Sequence, residues 1–151
     1  MQAKRGFTLV EILIVVVILG ILAAIVIPQF TQASTEAKQN SLASDLQTLR
    51  SQIELYKVQH NDTAPKCATF ATQMVYTTDI DGNVNGTSKA RTGVFQYGPY
   101  LERLPENPFN NLATLVAITD PCDAGSGDCG WAYIEATGEI RADDSAEHAA
   151  Y

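Results

Sequence analysis

The most informative part of the sequence is Arg5-Gly6-Phe7-Thr8-Leu9-Val10-Glu11-Ile12-Leu13, together with the apolar run that begins there. This run covers Phe7 to Ile27, which is 21 residues, and Glu11 is its only charged residue. Because a helix needs roughly 20 apolar residues to cross a bilayer, the run predicts a membrane-spanning helix. A carboxylate in that setting costs about 2.5–3.5 kcal/mol on insertion scales, and such residues are usually functional.

The sequence offers Glu11 no partner inside the apolar run, so we expect the partner to be an amine at the start of the helix. If the chain were cut after Gly6, Phe7 would carry a free α-amino group one helical turn from Glu11. Such a group has an unperturbed pKa of about 8 and is mostly cationic at neutral pH. The stretch therefore predicts a charge pair between Glu11 and a new N-terminus.

These residues resemble the prepilin segment of type IV pilins and type II secretion pseudopilins. The resemblance rests on a short basic leader, Gly6, the residues from Phe7 to Glu11, and an apolar helix with Gly20 and Pro28. In that family a membrane peptidase cuts after the glycine and methylates the new amine. The resemblance thus implies cleavage between Gly6 and Phe7, N-methylation of Phe7, and a contact between Glu11 and the Phe7 amine of a neighbouring subunit.

The alternative for this segment is a plain N-terminal anchor or a secretory signal. A signal has a shorter apolar core that is followed by a small-residue cleavage site. Here the helical pattern continues past Pro28, where Leu42, Leu46, Leu49, Ile53 and Tyr56 form a one-sided apolar stripe. A helix from about Thr8 to His60 would be near 80 Å long, and we expect Asn61, Asp62 and Pro65 to end it.

Gly20 and Pro28 are the two positions that weaken this helix. Proline removes one backbone hydrogen bond and clashes with the preceding turn, so we expect a kink near residues 24–28. The resemblance adds that this segment can lose helical structure when the filament assembles.

After residue 62 the sequence predicts short strands and turns. Met74 to Thr78 could be a strand, and Val94 to Tyr97 a short strand or an ordered loop. Asp79 to Gly86 is rich in turn residues, with Asp-Gly and Asn-Gly dipeptides that favour hairpins. The tail from Asp143 to Tyr151 is polar, and we expect it to be mobile.

Residues 100–109 and 130–140 resemble the C-terminal half of the major pseudopilin group, where the second segment is a hairpin. The resemblance implies a turn at Thr137-Gly138, with Trp131, Tyr133 and Ile140 facing the core. The sequence as a whole predicts an α+β fold, with a long N-terminal helix packed on a small antiparallel sheet. The expected parts are a leader (1–6), a transmembrane and filament-core helix (7–28), an amphipathic helix (29–61) and a β-rich head with a C-terminal cysteine loop (62–151).

The three cysteines are Cys67, Cys122 and Cys129. The basic residues before the span place the N-terminus in the cytoplasm and the cysteines across the membrane, where a disulfide can form. Cys122 and Cys129 bracket a flexible loop, and we favour their pairing, which the chain-entropy model values at about 2–2.5 kcal/mol. Pairing of Cys67 with either of them is the alternative.

Calcium is the one metal that the sequence raises. Asp79, Asp81, Asn83 and Asn85 could offer oxygen ligands, but the glycine is misplaced for an EF-hand loop and no bidentate acid follows. The calcium-binding C-terminal loop of major pseudopilins is not clearly matched by residues 142–145. We therefore expect a turn at residues 79–86 and no cofactor.

The composition argues against nucleic-acid binding and catalysis. Removal of the leader leaves 8 basic residues against 17 acidic ones, a net charge of −9, whereas nucleic-acid binding needs basic patches. No nucleophile, paired-acid or phosphate-loop motif stands out, and His60 and His148 lack the spacing of metal ligands. We expect a structural protein and not an enzyme.

The resulting hypothesis is a subunit that polymerises into a type IV filament after leader cleavage. We expect the precursor in the bacterial inner membrane, and as partners other copies of the chain, a prepilin peptidase, and an assembly platform with its ATPase. A cell-surface pilus is preferred because the Cys122–Cys129 loop is similar to the C-terminal disulfide of pilus-forming pilins. The alternatives are a major pseudopilin acting as a periplasmic piston in type II secretion and, from another class, a membrane-tethered binding module, which would leave Glu11 unexplained.

Overall fold

The computed structural model describes residues 6–151, apart from the side chain of Cys122. It has an α+β fold, as the sequence predicts. Its helices and strands are α1 (Leu9–Gln59), α2 (Phe70–Val75), β1 (Leu115–Ala117), β2 (Trp131–Ile134) and β3 (Glu139–Ala142). The chain divides into two compact units, Met1–Lys38 and Gln39–Tyr151, and we call the second unit the head.

Within the head, α1 buries the apolar stripe that the sequence predicts. Leu42, Leu46, Leu49, Ile53 and Tyr56 are each 0–2% exposed. The helix ends where expected, because Asn61 and Asp62 adopt left-handed backbone conformations with φ of 53° and 62°. The Asp62 N–H then donates to the Lys57 carbonyl at 2.9 Å, which satisfies one of the last free carbonyls of the helix.

The sheet of the head has three strands in the order β1-β2-β3. Strands β2 and β3 form the predicted hairpin, in antiparallel register from Trp131 opposite Ala142 to Ile134 opposite Glu139. Strand β1 pairs in parallel with β2, so the sheet is mixed and the expectation of an antiparallel sheet is wrong for this edge. No pattern in the sequence indicated β1, because Leu115–Ala117 is short and shows no alternation of apolar and polar residues.

The hairpin closes the core of the head against α1. Trp131, Tyr133 and Ile140 are all fully buried, as predicted. The turn depends on Gly138, whose φ is +78° and whose added Cβ would come within 3.2 Å of Ile53 Cγ2. The head therefore contains its own hydrophobic core, built from one face of α1, from α2 and from the sheet.

Two further expectations for the head are wrong. Met74 and Val75 belong to α2, not to a strand, and Thr78 forms only isolated bridges with Val84 and Tyr97. The C-terminal segment is packed on the head, since Asp143 is 0% exposed and His148 is 7% exposed. Its polar side chains find partners there, and these contacts between distant residues are not visible in the composition.

Candidate assembly site at the N-terminal helix

Glu11 lies at the first turn of α1, where it forms a capping box with Thr8. The Thr8 N–H and the Thr8 hydroxyl both donate to Glu11 Oε2 at 2.8 Å. In return the Glu11 N–H donates to Thr8 Oγ1 at 3.2 Å. This reciprocal pair is the capping-box arrangement, in which two otherwise unpaired N–H groups at the helix start are satisfied.

The expectation that Glu11 has no partner inside the apolar run is therefore wrong. Thr8 was the residue that the sequence analysis missed. The signal was present, because Thr-x-x-Glu before an apolar run is a capping-box signature. The capping box explains how the Glu11 carboxylate is tolerated within a single chain. The contact between Glu11 and the amine of a neighbouring subunit stays a prediction.

Gly6 and Phe7, the residues of the predicted cleavage bond, are both exposed. Phe7 is 84% exposed, and a Cβ added to Gly6 would meet no atom within 4 Å. The bond is thus not buried by the described part of the chain. The leader residues 1–5 lie outside the described residues, and cleavage and methylation at Phe7 stay predictions.

The apolar side chains of the run lie on the surface all round the helix. Every large apolar residue from Leu9 to Ile27 is 51–82% exposed. Among the described residues, α1 is the one helix long and apolar enough to cross a membrane. Gly20 has open space around its Cβ position and Pro28 lies inside the helix, so their predicted role in bending or melting stays a prediction.

The cysteines lie in the head. Cys67 and Cys129 are not joined to each other, and the side chain of Cys122 lies outside the described part, so the Cys122–Cys129 pairing stays a prediction. Burial, helped by the nearby charges of Glu135 and Cys129, raises the pKa of the Cys67 thiol. This makes Cys67 a weaker nucleophile than an ordinary cysteine near neutral pH.

In the turn at residues 79–86, the Asp79 carboxylate accepts hydrogen bonds from other residues of the same turn. Asp79 Oδ1 accepts from the N–H groups of Asp81 and Asn83, and Asp79 Oδ2 accepts from Asn83 Nδ2, at 2.8–3.0 Å. These hydrogen bonds lower the pKa of Asp79 despite the opposing effect of burial. In the described residues, no group of three or more His, Cys, Asp or Glu is arranged to hold a metal ion.

The capped Glu11 and the apolar run define a class, that of prepilin-type proteins. In agreement, the family described as the prokaryotic N-terminal methylation motif matches residues 1–27. The chain is also 34% identical over 116 residues to the type II secretion system core protein G of Aeromonas hydrophila. The aligned region is 74% of this chain and 73% of that protein. The core protein G of Pseudomonas aeruginosa is 34% identical over 110 residues, with 73% and 71% covered.

The chain therefore belongs to the type II secretion system core protein G family of pseudopilins. The core protein G of Vibrio cholerae supports the same conclusion, with 32% identity over 114 residues. No solved structure matches the chain significantly. These relatives favour the secretion pseudopilin, which the sequence analysis kept as an alternative, over the surface pilus that it preferred.

Proposed function

We propose that this chain is the major structural subunit of a periplasmic pseudopilus that serves type II secretion. The observation that carries the proposal is the length of the likeness to core protein G. The methylation motif ends at residue 27, whereas the identity of 34% extends over 116 residues. The likeness therefore includes much of the head, which prepilin-type proteins of other systems need not share.

Before assembly, the apolar run of α1 anchors the precursor in the inner membrane with the head outside. Lys4 and Arg5 precede the run, and basic residues favour the cytoplasmic side. In this state the Thr8 N–H and hydroxyl are the hydrogen-bond partners of Glu11. They lower the cost of holding a carboxylate at the membrane boundary.

During assembly, the exposed side chains between Leu9 and Ile27 exchange lipid for other copies of the same helix. Leader cleavage by the prepilin peptidase gives Phe7 a cationic amine, and Glu11 of an adjacent subunit pairs with it. At an effective dielectric constant of about 20, charges 4 Å apart attract by about 4 kcal/mol before desolvation costs. The assembly platform and its ATPase supply the work, and the chain itself has a structural and not a catalytic role.

The proposal is tested by deleting the gene and measuring the export of a protein that the secretion system carries. We expect the cargo to accumulate in the periplasm, and the native gene to restore its release. The Gly6→Leu chain serves as the matched control. It keeps the head and the span but cannot lose its leader, so we expect that its gene does not restore release. Normal export in the deletion strain, together with loss of sheared surface filaments, would instead identify a surface pilus subunit.

A further inference from the structure

The buried carboxylate of Asp143 is the most unusual feature of the head. Asp143 follows strand β3 and is 0% exposed, and no lysine or arginine is among its hydrogen-bond partners in the described residues. Major pseudopilins have a calcium-binding C-terminal loop that residues 142–145 do not clearly match, and this carboxylate shows whether the chain fits the ion.

Asp143 is surrounded by the loop of residues 124–129, which we call the nest loop. Its Oδ1 accepts from the N–H groups of Gly125 at 2.8 Å and Ser126 at 3.0 Å. Its Oδ2 accepts from the Ser126 hydroxyl at 2.8 Å and from the Cys129 N–H at 3.1 Å. The two oxygens of a carboxylate have about four lone-pair sites in total, and four donors occupy them here.

This donor set does not fit a calcium ion. Calcium takes six to eight oxygen ligands, at about 2.3–2.6 Å, whereas the groups that converge on Asp143 are three N–H groups and one hydroxyl. Successive N–H groups that point to one place form a nest, which attracts anions and repels cations. The nest loop therefore has the polarity opposite to that of a calcium loop, and its anion is the carboxylate of the chain itself.

The neighbouring carboxylate, Asp144, has one partner within the protein at each of its two oxygens. Asn107 Nδ2 donates to its Oδ1 at 2.7 Å, and His148 Nδ1 lies 2.5 Å from its Oδ2. Asn107 is itself fully buried and also donates to the Gly130 carbonyl at 3.0 Å. Asp144 thus links the C-terminal segment to residue 107, and its oxygens face nitrogen groups.

At Gly125 the nest loop lies directly against the backbone of residues 145–146. Gly125 has φ of +95°, and a Cβ there would lie 2.7 Å from the Ala146 nitrogen. Only glycine fits both conditions. The Asp143 carbonyl also accepts from the Gly127 N–H, so the loop is held to Asp143 through both side chain and backbone.

We propose that in this chain the Asp143 carboxylate orders the nest loop, and that no bound calcium ion is needed. The C-terminal part of the head therefore folds without calcium. The carboxylate organises the nest loop by accepting its N–H groups, and Asp144 fastens the following segment through Asn107 and His148. Hydrogen bonds to a carboxylate are stronger than those between neutral groups, and four of them join this one side chain to the loop. The proposal does not depend on the proposed secretion role.

The test is thermal unfolding of the full-length chain in detergent micelles, followed by the fluorescence of Trp131, with a calcium chelator and with millimolar calcium chloride. We expect the same Tm in both conditions and no calcium binding by isothermal titration calorimetry. Asp143→Asn keeps the size but turns an amide N–H2 toward N–H donors. We expect it to lower the Tm by about 5 °C or more in both conditions.

Asp128→Asn is the matched control, because Asp128 is an exposed residue of the same loop, and it should leave the Tm unchanged. A calcium-dependent rise in the Tm of the native chain would overturn the proposal. So would an unchanged Tm in Asp143→Asn. If that variant does not accumulate, the calcium titration of the native chain decides by itself.

Discussion

The N-terminal unit and the head differ in where their apolar side chains find contacts. Leu19, in the first unit, is 58% exposed, whereas Leu49, in the head, is 0% exposed. Both belong to α1, and nothing in the residue type distinguishes them. The head is therefore stabilised by its own core, while the apolar side chains of the first unit need lipid or further copies of the chain to cover them.

The largest expected effect comes from removing the exposed apolar run altogether. A chain without residues 1–32 should be soluble, monomeric and folded, since the stripe from Leu42 to Tyr56 stays with the head. Cell fractionation, size-exclusion chromatography and Trp131 fluorescence would measure this. An insoluble or unfolded product would mean that the head needs the first unit for its core.

A matched pair of leucine substitutions gives the next largest effect. Leu49→Ala should lower the free energy of unfolding of the head by about 2–5 kcal/mol, because it leaves a cavity in a packed core. Leu19→Ala in the same full-length chain should change it by less than about 0.5 kcal/mol. Urea unfolding in detergent, followed by the single tryptophan, compares them. Equal losses would remove the distinction between the two regions.

The core of the head should also respond to alkaline pH. Burial raises the pKa of Tyr100 to about 12, and it raises the pKa of Tyr56 and of Tyr133 still further. The folded head therefore holds these protons more tightly than the unfolded chain, whose tyrosines titrate near pH 10. The free energy of unfolding should be steady below about pH 10 and fall as the pH rises toward 12.

Urea titrations at a series of pH values measure this slope. Tyr100→Phe should make the fall shallower, because it removes one group that titrates in this window. Tyr151→Phe is the control, since Tyr151 is 47% exposed, and it should keep the slope. A free energy of unfolding that rises above pH 10 would contradict the burial of these hydroxyl groups.

The smallest expected effect concerns the capping box of the first unit. Thr8→Val removes the hydroxyl that donates to Glu11 and should destabilise the helix start by about 0.5–2 kcal/mol. We expect lower steady-state amounts of the chain in the membrane fraction, with an unchanged head. Thr8→Ser retains the hydroxyl and should restore native amounts on quantitative immunoblots. Equal amounts for Val and Ser would show that the box does not matter in the membrane.

The sequence predicted the parts of this molecule that follow from local periodicity. The stripe on α1 and the end of the helix at Asn61 each depend on residues close in the chain, whereas the hairpin turn at Gly138 was implied by the resemblance to major pseudopilins. The parallel edge strand β1 and the burial of Asp143 depend on partners far along the chain, so no local pattern indicated them. At the candidate site, Gly6, Phe7 and Glu11 were identified from their motif, while Thr8 was overlooked although its signature is local.

Glu11→Gln tests the proposal that other copies of the chain cover the first unit through a contact at Glu11. Glutamine keeps the size and can still accept from Thr8, but it removes the attraction to a neighbouring cationic amine. Membrane-fraction immunoblots, mass spectrometry of the N-terminus and electron microscopy of isolated filaments should be read together. We predict native membrane amounts, normal cleavage before Phe7 and few or no filaments. Abundant filaments from the Gln variant would contradict the claim.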